Sequence, residues 1–333
     1  MNHLVLSRRG LLLATAAVAG ANASAAVAGA APPRLPVVAS FSILADLVRE
    51  VGGDRVEVTA LVGADGDAHV FEPTPRQARQ LQQARVLVTN GLGFEAWLPR
   101  LKSAAAFQGR EIVASAGIAP RALPASTHAH GQAHSRGHGH GHGHGHAHAG
   151  TVDPHAWQDV RNVIAYVNNI ARGLAQADPL HADHYRRRAS DYVARLEALD
   201  GRIRAEFAAL PAERRSVVAT HDAFGYFAQA YGLRFIAVRG LSTESEPSAR
   251  DLARLIGQVR EERITALFVE NISDPRLLQQ LARETGAAVG GRLYSDALSP
   301  ADGPAPTYIA MMQSNAAVLL KALAAVAPAM PAR

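Results

Sequence analysis

The chain has 333 residues and contains no cysteine. This absence excludes disulfide bonds, zinc sites built from thiolates and a lipid anchor attached to a cysteine. Long apolar runs are missing too, because after residue 31 no segment of about eighteen apolar residues is available to span a bilayer. We therefore expect a soluble mature protein without a lipid anchor.

A strong excess of one charge is also absent. The net charge is +5 with neutral histidines, and +3 if Arg8 and Arg9 near the N-terminus are left out of the count. So small and dispersed an excess argues against nucleic acid as a partner. Apolar residues make up 48% of the chain, which can form a sizeable core, and the length suggests two domains.

The N-terminal segment has the pattern of an export signal. Arg8 and Arg9 precede an apolar run that begins at Leu11 and ends in small residues near Ala31. This pattern predicts a secretory signal peptide over residues 1–31, and the paired arginines match the twin-arginine type. We therefore expect the mature protein in the periplasm.

Segments with strand and helix periodicity alternate along the rest of the chain. This alternation is typical of a mostly parallel sheet covered by helices, so the fold class predicted is α/β. We predict an N-terminal lobe over residues 32–177 and a C-terminal lobe over residues 211–333. Between them, apolar residues recur every three or four positions, which predicts a linking helix over residues 178–210.

Nine of the fifteen histidines lie in a tract of glycine and alanine at residues 127–150. The tract has no apolar period and too much glycine to order itself, which predicts a flexible loop. A purification tag or a solvated linker is the alternative, but the position in mid-chain and the choice of histidine favour weak, accessory metal capture. The nine are His128, His130, His134, His138, His140, His142, His144, His146 and His148.

Four further residues lie where predicted strands end or helices begin: His69, His155, His221 and Asp296. In open α/β sheets, ligands bind beyond the carboxyl ends of the strands, so these loops can meet in a cleft between two sheets. Three imidazoles and one carboxylate would complete a closed, tetrahedral or five-coordinate Zn²⁺ site. A lone histidine is more often structural, so the prediction depends on the four together.

Ligating imidazoles need partners that fix the ring. Asp153, Asp159 and Asp222 are close in sequence to the predicted ligands and are candidates for that role, as Glu72 is for orienting the loop after His69. Turn and cap residues are the alternative for all four carboxylates. We interpret His181 and His184, at the start of a polar-faced helix, as solvated.

Seven motifs carry a resemblance to a known family. The motifs are residues 39–46, 62–75, 90–95, 153–157, 220–227, 244–248 and 294–298. Through them the chain resembles, over essentially the whole mature sequence, the zinc- and manganese-binding periplasmic substrate-binding proteins of ABC transporters, the ZnuA-type family.

The resemblance implies two α/β lobes joined by one long helix, with the metal in the cleft between them. It places the family's four ligand positions on His69, His155, His221 and Asp296. The implied ligand is a transported Zn²⁺ ion, and the implied partner is an ABC permease of the inner membrane. A periplasmic metallochaperone is a further candidate partner, and we expect a monomer.

The third ligand bears on the choice of metal. Manganese-binding members of the family commonly carry glutamate where this chain has His221. Oxygen ligands suit Mn²⁺, whereas three imidazoles with one carboxylate suit Zn²⁺. Some relatives with this set handle manganese, but the histidine-rich tract is a feature of zinc members. We therefore favour zinc, with a Mn²⁺-binding homologue as the alternative.

We expect no catalytic activity. Four protein ligands leave no open position for an activated water, and the chain has no His-Glu-x-x-His motif to place a general base beside a metal. Two alternatives from other classes are a secreted zinc hydrolase and a periplasmic zinc buffer or chaperone. In the latter, the histidine-rich tract would be the working part.

Overall fold

The computed structural model describes residues 33–123, 152–238, 248–262, 264 and 266–324. The predicted signal peptide and the histidine-rich tract lie outside the described residues, and so does most of the segment 244–248. None of the described helices combines the length and the apolar character needed to cross a membrane.

The first sheet has four parallel strands in the order β2-β1-β3-β4. Its two inner strands are almost wholly buried, as expected of a parallel sheet covered on both faces. The edge strand β4 was not predicted, because only Ile112 of its four residues is buried and no apolar run marks it. The strands are β1 (Leu35–Phe41), β2 (Val56–Val62), β3 (Val86–Thr89) and β4 (Arg110–Val113).

Four helices accompany this sheet. The Thr74 side chain caps α2 by accepting a hydrogen bond from the Arg76 N–H, and Pro75 occupies the first helical position. Asp159 caps α4 in the same way by accepting from the Arg161 N–H. The helices are α1 (Ser42–Gly52), α2 (Pro75–Gln83), α3 (Leu98–Ala104) and α4 (Val160–Ala177).

One long helix, α5 (Ala182–Ala208), links the two halves of the chain. It has 27 residues, which at about 1.5 Å each gives about 40 Å, and a single 3₁₀ turn at Pro179–His181 precedes it. Gly201 does not interrupt the helix. Its buried face packs on α1 and α4 of the first half and on two helices of the second half, so it belongs to both.

The second half repeats the topology of the first, with four parallel strands in the order β6-β5-β7-β8. This repetition confirms the predicted pair of sheets flanked by helices, whereas the exact lobe boundaries stay a prediction. The strands are β5 (Ser216–Ala219), β6 (Arg234–Ala237), β7 (Ala266–Glu270) and β8 (Ala288–Leu293). The helices are α6 (Gly225–Tyr231), α7 (Ala249–Glu261), α8 (Arg276–Thr285) and α9 (Tyr308–Ala324).

The two sheets share one continuous hydrophobic core that runs from β1 to α9. Buried hydrogen bonds cross the junction between them. The Trp157 and Gln158 side chains both donate to the Ser295 carbonyl, at 2.8 and 2.7 Å, and the Leu298 N–H donates to the Ser42 hydroxyl at 3.0 Å. The loops at this junction are therefore fixed against each other by directional bonds as well as by apolar packing.

Asp46 makes a further buried contact across the junction. Its Oδ2 accepts a hydrogen bond from the N–H of Tyr308, the first residue of α9, at 2.8 Å. Burial raises the pKa of Asp46 to about 6 in spite of this bond. The carboxylate therefore has a higher proton affinity in the folded protein than in the unfolded chain, and this difference makes stability depend on pH.

We expect the substitution Asp46→Asn to remove this pH dependence. A raised folded pKa contributes stability at low pH that is lost as the pH rises through about 6, whereas an amide keeps the acceptor and cannot ionise. Between about pH 4.5 and pH 7.5, urea denaturation of the metal-free proteins should show that the variant loses about 2 kcal/mol less unfolding free energy. Equal losses in both proteins would contradict the assignment.

Candidate metal centre

The four predicted ligands meet at the junction of the two sheets. One side-chain atom from each of His69, His155, His221 and Asp296 lies within 4.8 Å of the others. His69, His221 and Asp296 lie in loops that follow β2, β5 and β8, and His155 precedes the 3₁₀ turn Ala156–Gln158 that leads into α4. The carboxyl ends of two parallel sheets thus face one cleft, which is the place where open α/β folds bind ligands.

The distances fit a small ion enclosed by all four side chains. His69 Nε2 lies 3.1 Å from both His155 Nε2 and Asp296 Oδ2. Asp296 Oδ2 is 3.1 Å from His221 Nε2, and Asp296 Oδ1 is 3.6 Å from His155 Nε2. Ligands about 2.0–2.1 Å from a tetrahedral Zn²⁺ ion are separated by about 3.3 Å, which falls within the observed range.

The centre is almost closed to solvent. His155, His221 and Asp296 are buried, whereas 13% of the His69 side chain is exposed. No described residue donates a hydrogen bond to Asp296 Oδ1, which is also buried. A buried carboxylate oxygen in that position needs a positively charged partner, and a metal ion between the four side chains would supply it.

A buried carboxylate fixes the ring of His155. Asp153 Oδ1 lies 2.8 Å from His155 Nδ1 and also accepts the backbone N–H of His155 at 3.0 Å. The loop is held from a second side, because the Asn90 amide donates to the Pro154 carbonyl at 2.9 Å. With its proton on Nδ1, the ring presents the lone pair of Nε2 to the centre, which is the arrangement a metal ligand requires.

His221 has an equivalent partner that sequence reasoning missed. Glu270, at the end of β7, places Oε2 2.6 Å from His221 Nδ1, and its Oε1 accepts the backbone N–H of His221 at 2.8 Å. The prediction named Asp222 for this role because it is adjacent in sequence, but the structure places Glu270 against the ring. A carboxylate that ends an otherwise apolar strand was the available signal.

The loop that carries His69 is anchored to both halves of the molecule. The His69 N–H donates to Asp67 Oδ1, and Trp97 donates to the Ala68 carbonyl, both at 2.8 Å. Four residues before His69, Asp65 accepts a hydrogen bond from the Asn271 amide of the other half at 2.8 Å. His69 also lines a cavity of about 870 Å³ between this loop and α3, so the partly exposed side of this residue borders solvent.

The other predicted polar residues lie outside the cluster of ligand atoms. Asp159 caps α4, and Glu72 is exposed at the cavity beside His69. His181 and His184 are partly buried rather than simply solvated, because His181 pairs with Asp178 at 2.8 Å and His184 Nε2 lies 3.0 Å from a backbone carbonyl. None of these four side chains is part of the cluster of ligand atoms.

A second missed residue, Glu95, shapes the wall of the centre. This buried carboxylate accepts hydrogen bonds from the Ser40 hydroxyl at 2.7 Å and from the Asn90 N–H at 2.6 Å. Burial raises its pKa. The turn it holds places the Phe94 ring 4.8 Å from the ring of His69, centroid to centroid, so an apolar wall lies beside the ligands.

The charges of the centre are strongly coupled. Burial alone would lower the pKa of His221, but the carboxylates of Glu270 and Asp296 outweigh it and raise that pKa well above its usual value. Burial likewise opposes ionisation of Asp296, yet His221 and His155 hold the pKa of its carboxyl well below the usual range. Without metal, protonation of His221 therefore compensates part of the negative charge of these carboxylates.

Comparison with known proteins gives a consistent picture. Residues 37–322 match the family model of the periplasmic zinc-uptake complex component A, ZnuA. The iron-binding protein YfeA of Yersinia pestis is 29% identical over 310 residues, covering 93% of this chain and 91% of the relative. The manganese-binding lipoprotein MntA of Halalkalibacterium halodurans is 30% identical, with coverage of 84% and 86%.

A solved structure shows the same fold. The periplasmic zinc-binding protein TroA of Treponema pallidum superposes with a TM-score of 0.74 at 28% identity, over 87% of this chain and 99% of that one. The names of these three relatives cover iron, manganese and zinc. The fold is thus shared by proteins named for different metals.

The contact between Glu270 and His221 generates a testable prediction. In Glu270→Gln, the amide nitrogen facing His221 Nδ1 would donate to it, so the ring would carry its proton on Nε2, towards the centre. We expect Zn²⁺ affinity, measured by competition with a chromophoric chelator, to fall roughly 10- to 100-fold. The matched control Asp222→Asn should retain affinity to within about twofold, and equal effects of the two substitutions would contradict the assignment.

Proposed function

Since the chain belongs to the ZnuA family of metal-binding substrate-binding proteins of ABC transporters, we propose that it captures Zn²⁺ with high affinity and delivers the ion to a membrane permease. The observation that carries this proposal is the closed cluster of three imidazoles and one carboxylate. We propose His69, His155, His221 and Asp296 as the ligands of the transported ion. Asp153 and Glu270 would hold two of the rings in the ligating tautomer.

The donor set favours zinc among the metals that the relatives' names mention. Imidazole nitrogen is well suited to Zn²⁺, whereas Mn²⁺ prefers a higher share of oxygen ligands. Only Asp296 among the proposed ligands offers oxygen, and the Phe94 and Trp157 rings pack against the His69 and His155 rings, at 4.8 and 5.2 Å between centroids. A homologous Mn²⁺-binding function remains the alternative.

We propose that the protein binds its cargo without chemical turnover. Four side chains would complete the coordination of Zn²⁺, so the ion would lack the open position at which a hydrolase activates water. Three of those side chains are buried, which leaves little room for a substrate beside the ion. Metal binding that is tight and reversible is what a transport protein requires.

The proposed location is the periplasm, with the protein in soluble form. Relatives such as MntA are named lipoproteins, but this sequence has no cysteine to which a lipid could be attached. We propose a monomer that takes the ion past His69, its most exposed ligand, and passes it to the permease.

Metal competition tests the function directly. Purified mature protein should bind one Zn²⁺ ion tightly, and excess Mn²⁺ should fail to displace it in an equilibrium competition read out by metal analysis. Preferential retention of Mn²⁺ would support the alternative metal. His155→Ala and His221→Ala should each lower Zn²⁺ affinity roughly 100- to 1,000-fold. His181→Ala, a histidine outside the cluster, is the matched control.

Affinity should also depend on pH. The carboxylates of Glu270 and Asp296 keep His221 protonated above its usual pKa in the metal-free protein, so each bound ion must displace a proton. As the pH falls, protons compete better, and affinity should drop about tenfold per pH unit for one displaced proton. Chelator competition at about pH 5.5, 6.5 and 7.5 measures the slope. A flat profile would argue against a metal bound through His221.

The histidine-rich tract is proposed as an accessory that binds metal weakly. Deleting residues 127–150 should preserve the single tight site and remove several weak ones, because the four proposed ligands lie outside the tract. Isothermal titration of both proteins with Zn²⁺ distinguishes the two classes of site. Loss of the tight site in the deletion protein would show that the tract supplies essential ligands.

A further inference from the structure

We propose that Arg121 is a positioning residue for the metal centre, acting on His155 through Asp153. This inference rests on the proposed function, since it concerns the geometry of one proposed ligand. Arg121 lies in the loop after β4, 34 residues before His155 in sequence, and its hydrogen bonds go to Asp153 and Tyr226 rather than to the four proposed ligands. Its effect on metal binding would therefore be indirect.

The two carboxylate oxygens of Asp153 contact different residues, His155 and Arg121. Oδ1 faces His155 Nδ1 at 2.8 Å, and Oδ2 accepts a hydrogen bond from Arg121 Nη1 at 2.7 Å. The Asp153 side chain is fully buried, whereas 24% of the Arg121 side chain is exposed. A carboxylate held at both oxygens cannot rotate freely, so Arg121 restricts the direction from which Asp153 meets the imidazole.

The backbone of Arg121 is fixed as well. Its carbonyl accepts a hydrogen bond from the Asp153 N–H at 3.0 Å. Ala122, which follows Arg121, and Val152, which precedes Asp153, form an antiparallel bridge. The Arg121 N–H donates to the Tyr226 hydroxyl at 2.7 Å, and the same hydroxyl donates to the Asp153 carbonyl at 3.3 Å. Tyr226 belongs to α6, so this arrangement also ties the loop to the other half of the molecule.

Gly225 shows how closely that other half covers the ion pair. A Cβ atom on Gly225 would lie 2.0 Å from Arg121 Nη1 and 2.7 Å from Asp153 Oδ2. Both separations are shorter than real contacts allow, so a side chain at this position would displace the guanidinium. The first turn of α6, which begins four residues after His221, therefore packs directly on the pair that orients His155. The contact between Gly225 and the ion pair thus connects the segment that carries His221 with the side chains that orient His155.

A second arginine provides a matched control. Arg161 also forms an ion pair with a buried aspartate, Asp200, at 3.1 Å, but 65% of its side chain is exposed. Asp200 retains a second partner, Arg204, at 2.8 Å. Replacing Arg161 removes the same charge from the same region of the surface without leaving a buried carboxylate unpaired and without touching a proposed ligand.

The first experiment compares Arg121→Met, Arg121→Lys and Arg161→Met in the full mature protein. We expect Zn²⁺ affinity to fall roughly tenfold in Arg121→Met, to recover in part in Arg121→Lys, and to be unchanged in Arg161→Met. The visible absorption of the Co²⁺-loaded protein should shift in Arg121→Met only, because it reports ligand geometry. Unchanged affinity and an unchanged Co²⁺ spectrum in Arg121→Met would overturn the inference.

The second experiment is a double-mutant cycle with Gly225→Ala, which displaces the guanidinium without altering charge. Gly225→Ala should weaken Zn²⁺ binding in the wild-type background and have a smaller effect in an Arg121→Ala background, where space has been made. Strictly additive effects would show that the two positions act separately and would overturn the link. If the wild-type protein itself bound no Zn²⁺, the proposed function would fail, and that outcome differs from a failure of the positioning role.

Discussion

The structure depends on the convergence of three imidazoles and one carboxylate at a place that water hardly reaches. Buried polar groups that crowd together in this way are unfavourable unless a compensating charge lies between them. Neither sheet alone can supply the set, since His69 and His155 come from the first half and His221 and Asp296 from the second. The shared core, the helix α5 and the hydrogen bonds to Ser295 therefore serve to bring the ligands together.

Charge balance explains why a divalent cation fits this place. Three buried carboxylates surround the rings, namely Asp153, Glu270 and Asp296, and Arg121 compensates one of them. A proton on His221 compensates a second, which leaves one negative charge in the metal-free centre. Replacing that proton with a doubly charged ion makes the group neutral. The same carboxylates that orient the imidazoles thus also set the charge of the ion that the centre holds most favourably.

The two sheets and the four proposed ligands could be predicted from the sequence, because they depend on patterns within short segments of the chain. Strand and helix periodicity predicts the two parallel sheets, and ligands at the ends of strands can be found because parallel topology brings such ends together. The partners of the ligands were harder to predict, because they depend on packing between distant segments. Asp153 lies two residues before His155 and was named as a candidate, whereas Glu270 lies 49 residues beyond His221 and was not. Glu95, Arg121 and Gly225 were missed for the same reason, since only the packed structure shows what each of them contacts.

The identity of the metal cannot follow from the fold, because relatives with this architecture are named for iron, manganese and zinc. Selectivity must therefore come from the ligand atoms and from the space around them. Here a single carboxylate provides the oxygen, and the rings of Phe94 and Trp157 pack against two of the imidazoles. An ion that prefers six oxygen-rich ligands would have to enlarge a site whose loops are held by buried hydrogen bonds. An ion that is bound by four ligands needs no such change, and this is the physical argument behind our proposal of Zn²⁺.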